Sequence, residues 1–400
     1  MKILITTDFY LPCITGVTTV VVNEQAMLEK LGHDVRILTI GPKGMSFFED
    51  GVYHMAASRL KLFPDSYMTF RYQNPLVADI LSWKPDLVHS NNEFFSMGYA
   101  RRIADALHIP LLHTCHTDFT RYDEEQRIRH TLWDSLMAAI VRRRVRYCDL
   151  LISPSSAHKA MLVRYHIKKP VVVLPSGIDL ARFKQPMQGK ERERLRANLG
   201  FTKEQFLLLS VCRLAPEKRV GQIIDAFFLL SFLESSARLL IVGGGPKEES
   251  LRKRVRELGL EARVVFTGPV PPERVHRYYQ LADIFVSASV RESQGLGFVE
   301  AMASSLPLLL REDASLGLSI EGLGIGYLYQ DAKQFVQLLS FLMENPIAVG
   351  QMGMRSRKES KRFSLSVWAQ QLSAICLSLQ AQSMPDLADQ QDDRRHDDQG

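Results

Sequence analysis

The strongest constraint on the fold is a repeated alternation of short apolar segments with amphipathic ones. The apolar segments lack strict polar alternation, which is typical of parallel strands buried on both faces, and the amphipathic segments have the period of helices. In the N-terminal half the predicted strands are Lys2–Thr6, Val35–Ile40, Leu87–His89, Ile109–His113 and Leu150–Ser153, and the predicted helices are Val20–Leu31, Leu76–Trp83 and Asp123–Tyr147.

The same rhythm starts again after a polar segment, Asp179–Gly200. The second series has predicted strands at Phe206–Cys212, Arg238–Val242, Val264–Thr267 and Ile284–Ser287, and predicted helices at Val220–Leu230, Glu248–Leu258 and Pro272–Leu281. The fold class is therefore α/β, with two doubly wound, Rossmann-like domains facing each other across a cleft. We expect domains at residues 1–180 and 181–362, a helix at 363–380 that crosses back to the first domain, and a disordered polar tail at 381–400.

Composition and terminal patterns narrow the class of protein. A hydrophobic fraction of 46% and a charged fraction of 24% exclude a disordered or fibrous chain. The N-terminus reaches an acid and a proline too soon for a secretory signal, and the most apolar stretch, Ala226–Leu233, is too short to span a membrane. Five widely spaced cysteines fit a reducing compartment. We expect a cytoplasmic protein, with peripheral binding to the inner face of the cell membrane left open.

Four segments carry candidate chemistry, each directly after a predicted strand. Gly16 precedes a helix and lets backbone amides approach a ligand, whereas Arg213 and Lys218 can converge on a diphosphate. Three glycines, 243–245, permit a tight turn with exposed amides. Glu292 and Glu300 flank a glycine-rich loop and suit sugar or ribose hydroxyls. Taken singly, each pattern is equally compatible with an ordinary turn, a solvated basic pair or an acid at a helix start.

Taken in order, these motifs resemble one family. The sequence contains TDxYxPxxxGV from Thr7, a central His-Thr, PSGID from Pro175, RLxxEK from Arg213, VGGGP from Val242 and ESxG…EA from Glu292. This series resembles retaining glycosyltransferase family 4, which has the two-domain GT-B fold, from Met1 to about residue 380. The departures are Ser305, where the family usually has glycine, and Ile325-Gly326, where it has Asn-Gly.

The resemblance implies a role for each matching residue. His116 contacts the donor sugar, Arg213 and Lys218 hold the diphosphate, Glu292 contacts the transferred sugar and Glu300 the ribose. Gly16, Gly245, Gly295 and Leu296 lie beside the donor phosphates, and Val270 lies near the base. The substrate is a UDP- or GDP-hexose, and no cofactor is implied. Since no DxD motif occurs in the sequence, no metal ligands are predicted and the two cations replace a metal's charge.

The acceptor is less constrained than the donor. The stretch HTDFTRY looks like family members that glycosylate lipids such as diacylglycerol. A basic helix carries Arg142, Arg143 and Arg146 on faces other than that of Met137, Val141, Val145 and Cys148, which suits an anionic membrane surface or, equally, a helix packed on a core with a solvated basic face. A soluble sugar or polysaccharide precursor is the alternative acceptor.

Two other classes of protein remain as alternatives at this point. One is a nucleotide-sugar epimerase on the same fold, which the intact RLxxEK and E-x7-E patterns disfavour. The other is a non-catalytic basic binding protein; no nucleic-acid partner is expected, since no nucleic-acid-binding motif is present in the sequence.

Overall fold

The computed structural model describes residues 1–13, 15–41, 45–59, 67–69, 72–116, 127–290, 295–312 and 320–383. These form two compact units. Unit 1 comprises residues 1–177 together with the chain from Trp368 onward, and unit 2 comprises Ile178–Val367. The described helices include none that is both long enough and apolar enough to cross a membrane.

Unit 1 is built on a sheet of eight described strands in the order β10-β9-β8-β7-β1-β2-β4-β3. All neighbours pair in parallel except β3 with β4. The strands are β1 (Lys2–Thr7), β2 (Asp34–Gly41), β3 (Phe47–Glu49), β4 (Val52–Ala56), β7 (Leu87–Ser90), β8 (Leu111–Thr114), β9 (Leu150–Ser153) and β10 (Val171–Val173); a separate two-stranded ribbon is formed by β5 (Ser58–Arg59) and β6 (Tyr67–Met68).

Helices cover this sheet because each presents an apolar stripe. Ile80 and Trp83 of one helix and Tyr99, Ala100 and Ile103 of another are buried in the same core as the central strands. The helices of unit 1 are α1 (Gly16–Lys30), α2 (Pro75–Trp83), α3 (Ser96–Leu107), α4 (Arg127–Val145), α5 (Ser156–Arg164) and the C-terminal α14 (Leu365–Ser383), which begins in unit 2.

Unit 2 has a wholly parallel sheet in the order β13-β12-β11-β14-β15-β16. Its strands are β11 (Phe206–Val211), β12 (Ala237–Val242), β13 (Val264–Phe266), β14 (Ile284–Ser287), β15 (Leu308–Arg311) and β16 (Gly326–Tyr329). Its helices are α6 (Ala181–Lys184), α7 (Gly189–Asn198), α8 (Val220–Leu233), α9 (Glu248–Glu257), α10 (Pro272–Tyr279), α11 (Leu296–Ala303), α12 (Ala332–Glu344) and α13 (Pro346–Ser360). Apolar cores lie on both faces of this sheet.

The prediction of two doubly wound α/β halves is confirmed. The predicted boundary at residue 180 differs from the division seen here, because Ile178 exchanges backbone hydrogen bonds with Phe363 (2.9 Å) and Leu365 (3.2 Å) of unit 2. Most predicted elements are present with ends shifted by one to four residues. The predicted tail lies outside the described residues from 384 onward.

Candidate functional site

The carboxyl edge of the unit 2 sheet gathers most of the predicted site residues. The strand order reverses between β11 and β14, so the loops that follow these two strands diverge and leave a crevice. Predicted site residues follow four adjacent strands at this edge: Arg213 and Lys218 (β11), Gly245 (β12), Val270 (β13), and Gly295, Leu296 and Glu300 (β14). Glu292 lies outside the described residues.

Backbone hydrogen bonds join the loops after β11 and β12. Leu214 N–H donates to Gly244 O (2.9 Å), and Lys247 N–H donates to Leu214 O (3.0 Å). A Cβ at Gly245 would lie 2.5 Å from Leu214 O, so this close approach requires glycine. These bonds hold Leu214, and with it the adjacent exposed Arg213, beside the glycine turn; the half-buried Lys218 follows four residues after Leu214.

A second pair of glycines fixes the neighbouring turn after β13. Gly243 has φ +125°, and its N–H donates to Gly268 O at 3.1 Å. A Cβ at Gly243 would lie 2.0 Å from Cys212 O, which no side chain could tolerate. Val270, two residues beyond Gly268, is half-buried against the core of unit 2.

The loop after β14 leads into α11 at Gly295, where the described residues supply no side-chain cap. Gly295 directly precedes α11 and has φ +70°. A Cβ at Gly295 would lie 2.4 Å from the Phe298 ring. No described side chain accepts a hydrogen bond from the first amides of α11, and its first turn holds no acid. The exposed Leu296 therefore begins a helix whose N-terminus favours an anion.

Glu300 lies on α11 with its carboxylate against the phenol of Tyr279. The Tyr279 hydroxyl donates to Glu300 Oε2 at 2.8 Å. Burial raises the pKa of Glu300 to about 7, although the hydrogen bond from Tyr279 lowers it. Burial and the neighbouring Glu300 raise the pKa of Tyr279 well above its usual value, so the phenol stays a donor.

In unit 1, the predicted sugar-contacting residue His116 follows β8. Its half-buried ring bonds through Nε2 to Asn91 Oδ1, which follows β7, at 2.7 Å. Burial, and then the neighbouring His113, His89 and His158, lower the pKa of His116 to about 3. The imidazole is therefore neutral and donates its Nε2 proton to the amide oxygen of Asn91.

Sequence reasoning missed the buried network that holds Asn91. Its Nδ2 donates to Glu24 Oε2 (3.2 Å), while Glu24 Oε1 lies 2.5 Å from His89 Nδ1. His89 Nε2 in turn bonds to Thr114 Oγ1 at 2.7 Å. A signal for this network was present: Glu24 falls within the apolar stripe of α1, between the buried Val21 and Leu28.

Gly16 is the first residue of α1 rather than a loop residue. Thr15 caps the helix by accepting from Thr18 N–H at 3.0 Å. A Cβ at Gly16 would meet no atom within 4 Å, so packing within the described residues does not require glycine there. The preceding loop lines a pocket that sequence reasoning also missed, with walls that include Phe9, Tyr10, Leu11 and Tyr67.

The predicted basic helix is α4, and its apolar face is already occupied. Met137, Val141, Val145 and Cys148 are buried in unit 1, whereas Arg142, Arg143 and Arg146 are exposed. Among the side chains described from residue 135 onward, this arrangement matches a core-packed helix with a solvated basic face, although Leu136 is also exposed.

Comparison with known proteins identifies the family. The model for Glycosyltransferase Family 4 matches residues 14–182, and that for Glycosyl transferases group 1 matches residues 191–359. An alpha-monoglucosyldiacylglycerol synthase of Streptococcus pneumoniae is 30% identical over 82% of this chain and 75% of its own length. The chain belongs to glycosyltransferase family 4. The enzyme of the same name from Acholeplasma laidlawii is 29% identical to this glycosyltransferase over 95% of this chain and 97% of its own length.

Solved structures confirm the fold of this glycosyltransferase. Anabaena HepE in complex with UDP superposes with a TM-score of 0.69 at 18% identity, covering 94% of this chain and all of that one. Sucrose-phosphate synthase from Thermosynechococcus elongatus gives 0.70 at 20% identity, covering 95% and 99%. The GT-B fold and the glycosyltransferase activity predicted from the motifs are thus confirmed.

Proposed function

We propose that this glycosyltransferase moves a hexose from UDP- or GDP-hexose to a hydroxyl of a membrane lipid such as diacylglycerol, with retention of the anomeric configuration. The observation that carries the proposal is the full-length similarity to alpha-monoglucosyldiacylglycerol synthases, which extends over 95% of the chain. A UDP complex of a protein with the same fold supports a nucleotide-sugar donor.

In this proposal, unit 2 holds the nucleotide. Arg213 and Lys218 bind the diphosphate, while the amides at Gly245, Gly295 and Leu296 support its oxygens. Two further contacts complete the nucleotide-binding site: the Glu300 carboxylate accepts hydrogen bonds from the ribose hydroxyls, and Val270 packs near the base. Their shared position at one sheet edge, beside an uncapped helix start, supports the assignment.

The reaction breaks the bond between the anomeric carbon and the diphosphate oxygen, the acceptor oxygen bonds to that carbon on the same face, and the proton of the acceptor hydroxyl passes to the leaving diphosphate. Charge that develops on the leaving diphosphate is stabilised by Arg213, Lys218 and the loop amides, which supply the positive charge in place of a metal ion. We assign His116 and Glu292 to the transferred sugar and Gly16 to the phosphate. Because the neutral His116 donates its Nε2 proton to Asn91, its Nδ1 can accept a hydrogen bond from a sugar hydroxyl without adding charge.

One wall of the pocket in unit 1 is apolar, and we assign it to a lipid acceptor, although Asp8, Thr39 and His54 add polar groups to the lining. Phe9, Tyr10, Leu11 and Tyr67 offer aromatic and aliphatic surface to acyl or glycerol carbons. The exposed arginines 142, 143 and 146 suit the anionic surface on which such an acceptor lies.

The proposal is tested by incubating the protein with a panel of UDP- and GDP-hexoses. Diacylglycerol in phosphatidylglycerol vesicles is offered in one arm and soluble sugars in another, with Lys218→Ala as the background control. We expect a hexosyl-diacylglycerol by mass, with the donor's anomeric configuration by NMR and undiminished yield in EDTA.

Three other outcomes would replace the proposal. Transfer to soluble sugars alone would favour a polysaccharide precursor as acceptor, and isomerised donor without transfer would favour an epimerase. Loss of turnover in EDTA that Mg²⁺ or Mn²⁺ restores and Zn²⁺ does not would overturn the assignment of the diphosphate charge to Arg213 and Lys218.

A further inference from the structure

A second group of chemically capable side chains lies inside unit 1. Glu93 follows β7, His113 belongs to β8, and Cys115 directly follows β8. His113 and Cys115 are two residues apart on extended backbone, so they point to the same face of the sheet. One ligand atom from each residue, a carboxylate oxygen, an imidazole nitrogen and a thiol sulfur, lies within 4.8 Å of the other two.

These side chains are buried and poorly satisfied. Glu93 is 1%, His113 0% and Cys115 1% exposed. Glu93 Oε1 and both ring nitrogens of His113 have no hydrogen-bond partner among the described residues. Native proteins rarely leave buried polar atoms unpaired, and three such atoms at one place indicate an additional bound group.

The spacing of Glu93 and His113 indicates which kind of group. Glu93 Oε1 lies 3.7 Å from His113 Nε2, which is too long for a hydrogen bond. Two ligands of a tetrahedral zinc ion, with Zn–N and Zn–O bonds of about 2.0–2.2 Å, are separated by roughly 3.4 Å. The observed separation is close to that of two atoms bridged by a metal ion.

We propose that Glu93, His113 and Cys115 bind a zinc ion inside unit 1, with a water molecule as the fourth ligand. Mixed imidazole, carboxylate and thiolate donors suit zinc, and thiolate disfavours magnesium or calcium. No fourth side-chain ligand joins this group in the part of the chain that the structure describes.

The proposed zinc ion would link the carboxyl ends of β7 and β8, which are followed by Asn91 and by the predicted sugar-contacting residue His116. Asn91 lies two residues before Glu93, and His116 lies one residue after Cys115; these two side chains share the 2.7 Å hydrogen bond. Bound zinc would hold β7 and β8 in the register that forms this bond. The ion belongs to unit 1, whereas Arg213 and Lys218 belong to unit 2, so the proposal does not rest on the proposed function.

The first test is the metal content of the full chain, purified without a histidine tag and dialysed against equimolar zinc followed by metal-free buffer. We expect one zinc per chain in the wild type and in Cys376→Ser, which removes a buried thiol of unit 1 outside the group. Cys115→Ser and His113→Gln should retain less than about a tenth of that zinc.

The second test does not depend on a variant that folds. Replacement of zinc by Co²⁺ in the wild type should give a thiolate-to-cobalt charge-transfer band, and X-ray absorption should show one sulfur at about 2.3 Å from the metal. A wild type that retains no zinc, a cobalt complex without this band, or zinc retained equally by Cys115→Ser would overturn the proposal and leave a buried water in its place.

Discussion

Glu300 couples stability to pH because burial raises the pKa of its carboxyl in the folded chain. Its folded pKa of about 7 lies above its usual value of 4.5. As pH rises between these values the unfolded chain releases its proton first, so stability falls up to pH 7 and is constant above it. We expect Glu300→Gln, which has no such proton, to be more stable than the wild type at pH 8 by about 2–3 kcal/mol.

Urea unfolding at pH 4 and pH 8 measures this difference. At pH 4 the Glu300 carboxyl is mostly protonated in the folded and in the unfolded chain. The difference in stability between wild type and Glu300→Gln should therefore close. A gap of equal size at both pH values would assign the effect to packing rather than to ionisation.

The same carboxyl predicts how donor affinity changes with pH. Ribose hydroxyls donate to an ionised carboxylate, and the ionised fraction of Glu300 falls roughly tenfold between pH 8 and pH 6. The Kd for UDP, measured by calorimetry, should therefore rise about tenfold in the wild type as the pH falls from 8 to 6. In Glu300→Gln it should stay constant. Parallel profiles for the two proteins would remove Glu300 from the ribose site.

Lys218 tests whether a fixed cation supports the leaving diphosphate. Lys218→Ala should lower kcat/KM by about 10²–10³, the usual effect of removing one group that stabilises transition-state charge. Arg256→Ala, which removes an exposed cation of α9, is the matched control and should retain activity. Equal activity of both variants would show that the diphosphate is held elsewhere.

Asn91 is fully buried and hydrogen-bonded to His116, so we expect it to act by positioning that ring. Asn91→Ala should lower kcat about tenfold while the donor KM changes less than twofold, because the misplaced ring costs orientation rather than binding. In a His116→Ala background the same substitution should have no further effect on kcat. Additive losses in the double variant would indicate a role for Asn91 that is independent of His116.

The loops after β11 and β12 depend on a glycine whose role is steric. In Gly243→Ala the new methyl group would lie 2.0 Å from Cys212 O, at φ +125°. We expect a loss of about 2–4 kcal/mol in the free energy of unfolding, measured by urea denaturation. Gly189→Ala is the control: a Cβ there meets nothing within 4 Å, so its stability should be unchanged or slightly higher.

Strands and helices could be predicted where the sequence repeats a local period. Ile284–Ser287 and Leu150–Ser153 were placed correctly because both are continuous apolar runs. Helix α1 begins four residues before its predicted start, because its N-terminus is set by the Thr15 cap rather than by apolar period. Ser305, where the family usually has glycine, takes φ +63°, the left-handed conformation that glycine adopts freely.

Long-range polar contacts could not be predicted in the same way. Glu24, His89 and Asn91 come together only when α1 and β7 pack, and their separations of 65 and 67 residues leave no local pattern. Likewise, Tyr279 and Glu300 lie on different helices. The edge of the unit 2 sheet was predictable because parallel strands place all their carboxyl ends together.

The charge of the whole chain is modest, at +6, so membrane attraction depends on where the cations lie. In unit 1 the exposed Arg142, Arg143 and Arg146 are joined by Arg101, whose guanidinium lies 3.3 Å from the centre of the Tyr147 ring. The hydrogen bond from Arg146 and the charges of Arg101 and Arg143 lower the pKa of Tyr147. Because Met137, Val141 and Val145 of α4 are buried, we expect the attraction of this surface to be mainly electrostatic and sensitive to salt.

Replacing Arg142, Arg143 and Arg146, at the C-terminal end of α4, by glutamine should weaken binding to phosphatidylglycerol vesicles about 100-fold, since each cation near an anionic surface contributes about 1 kcal/mol. Co-sedimentation at increasing NaCl measures this, and the wild type should approach the variant as salt screens the surface. The matched control removes three exposed cations of unit 2, Lys190, Arg194 and Arg256. Equal losses in the two triple variants would mean that net charge, and not the α4 surface, governs binding; wild-type binding that is insensitive to salt would point to apolar insertion elsewhere on the chain.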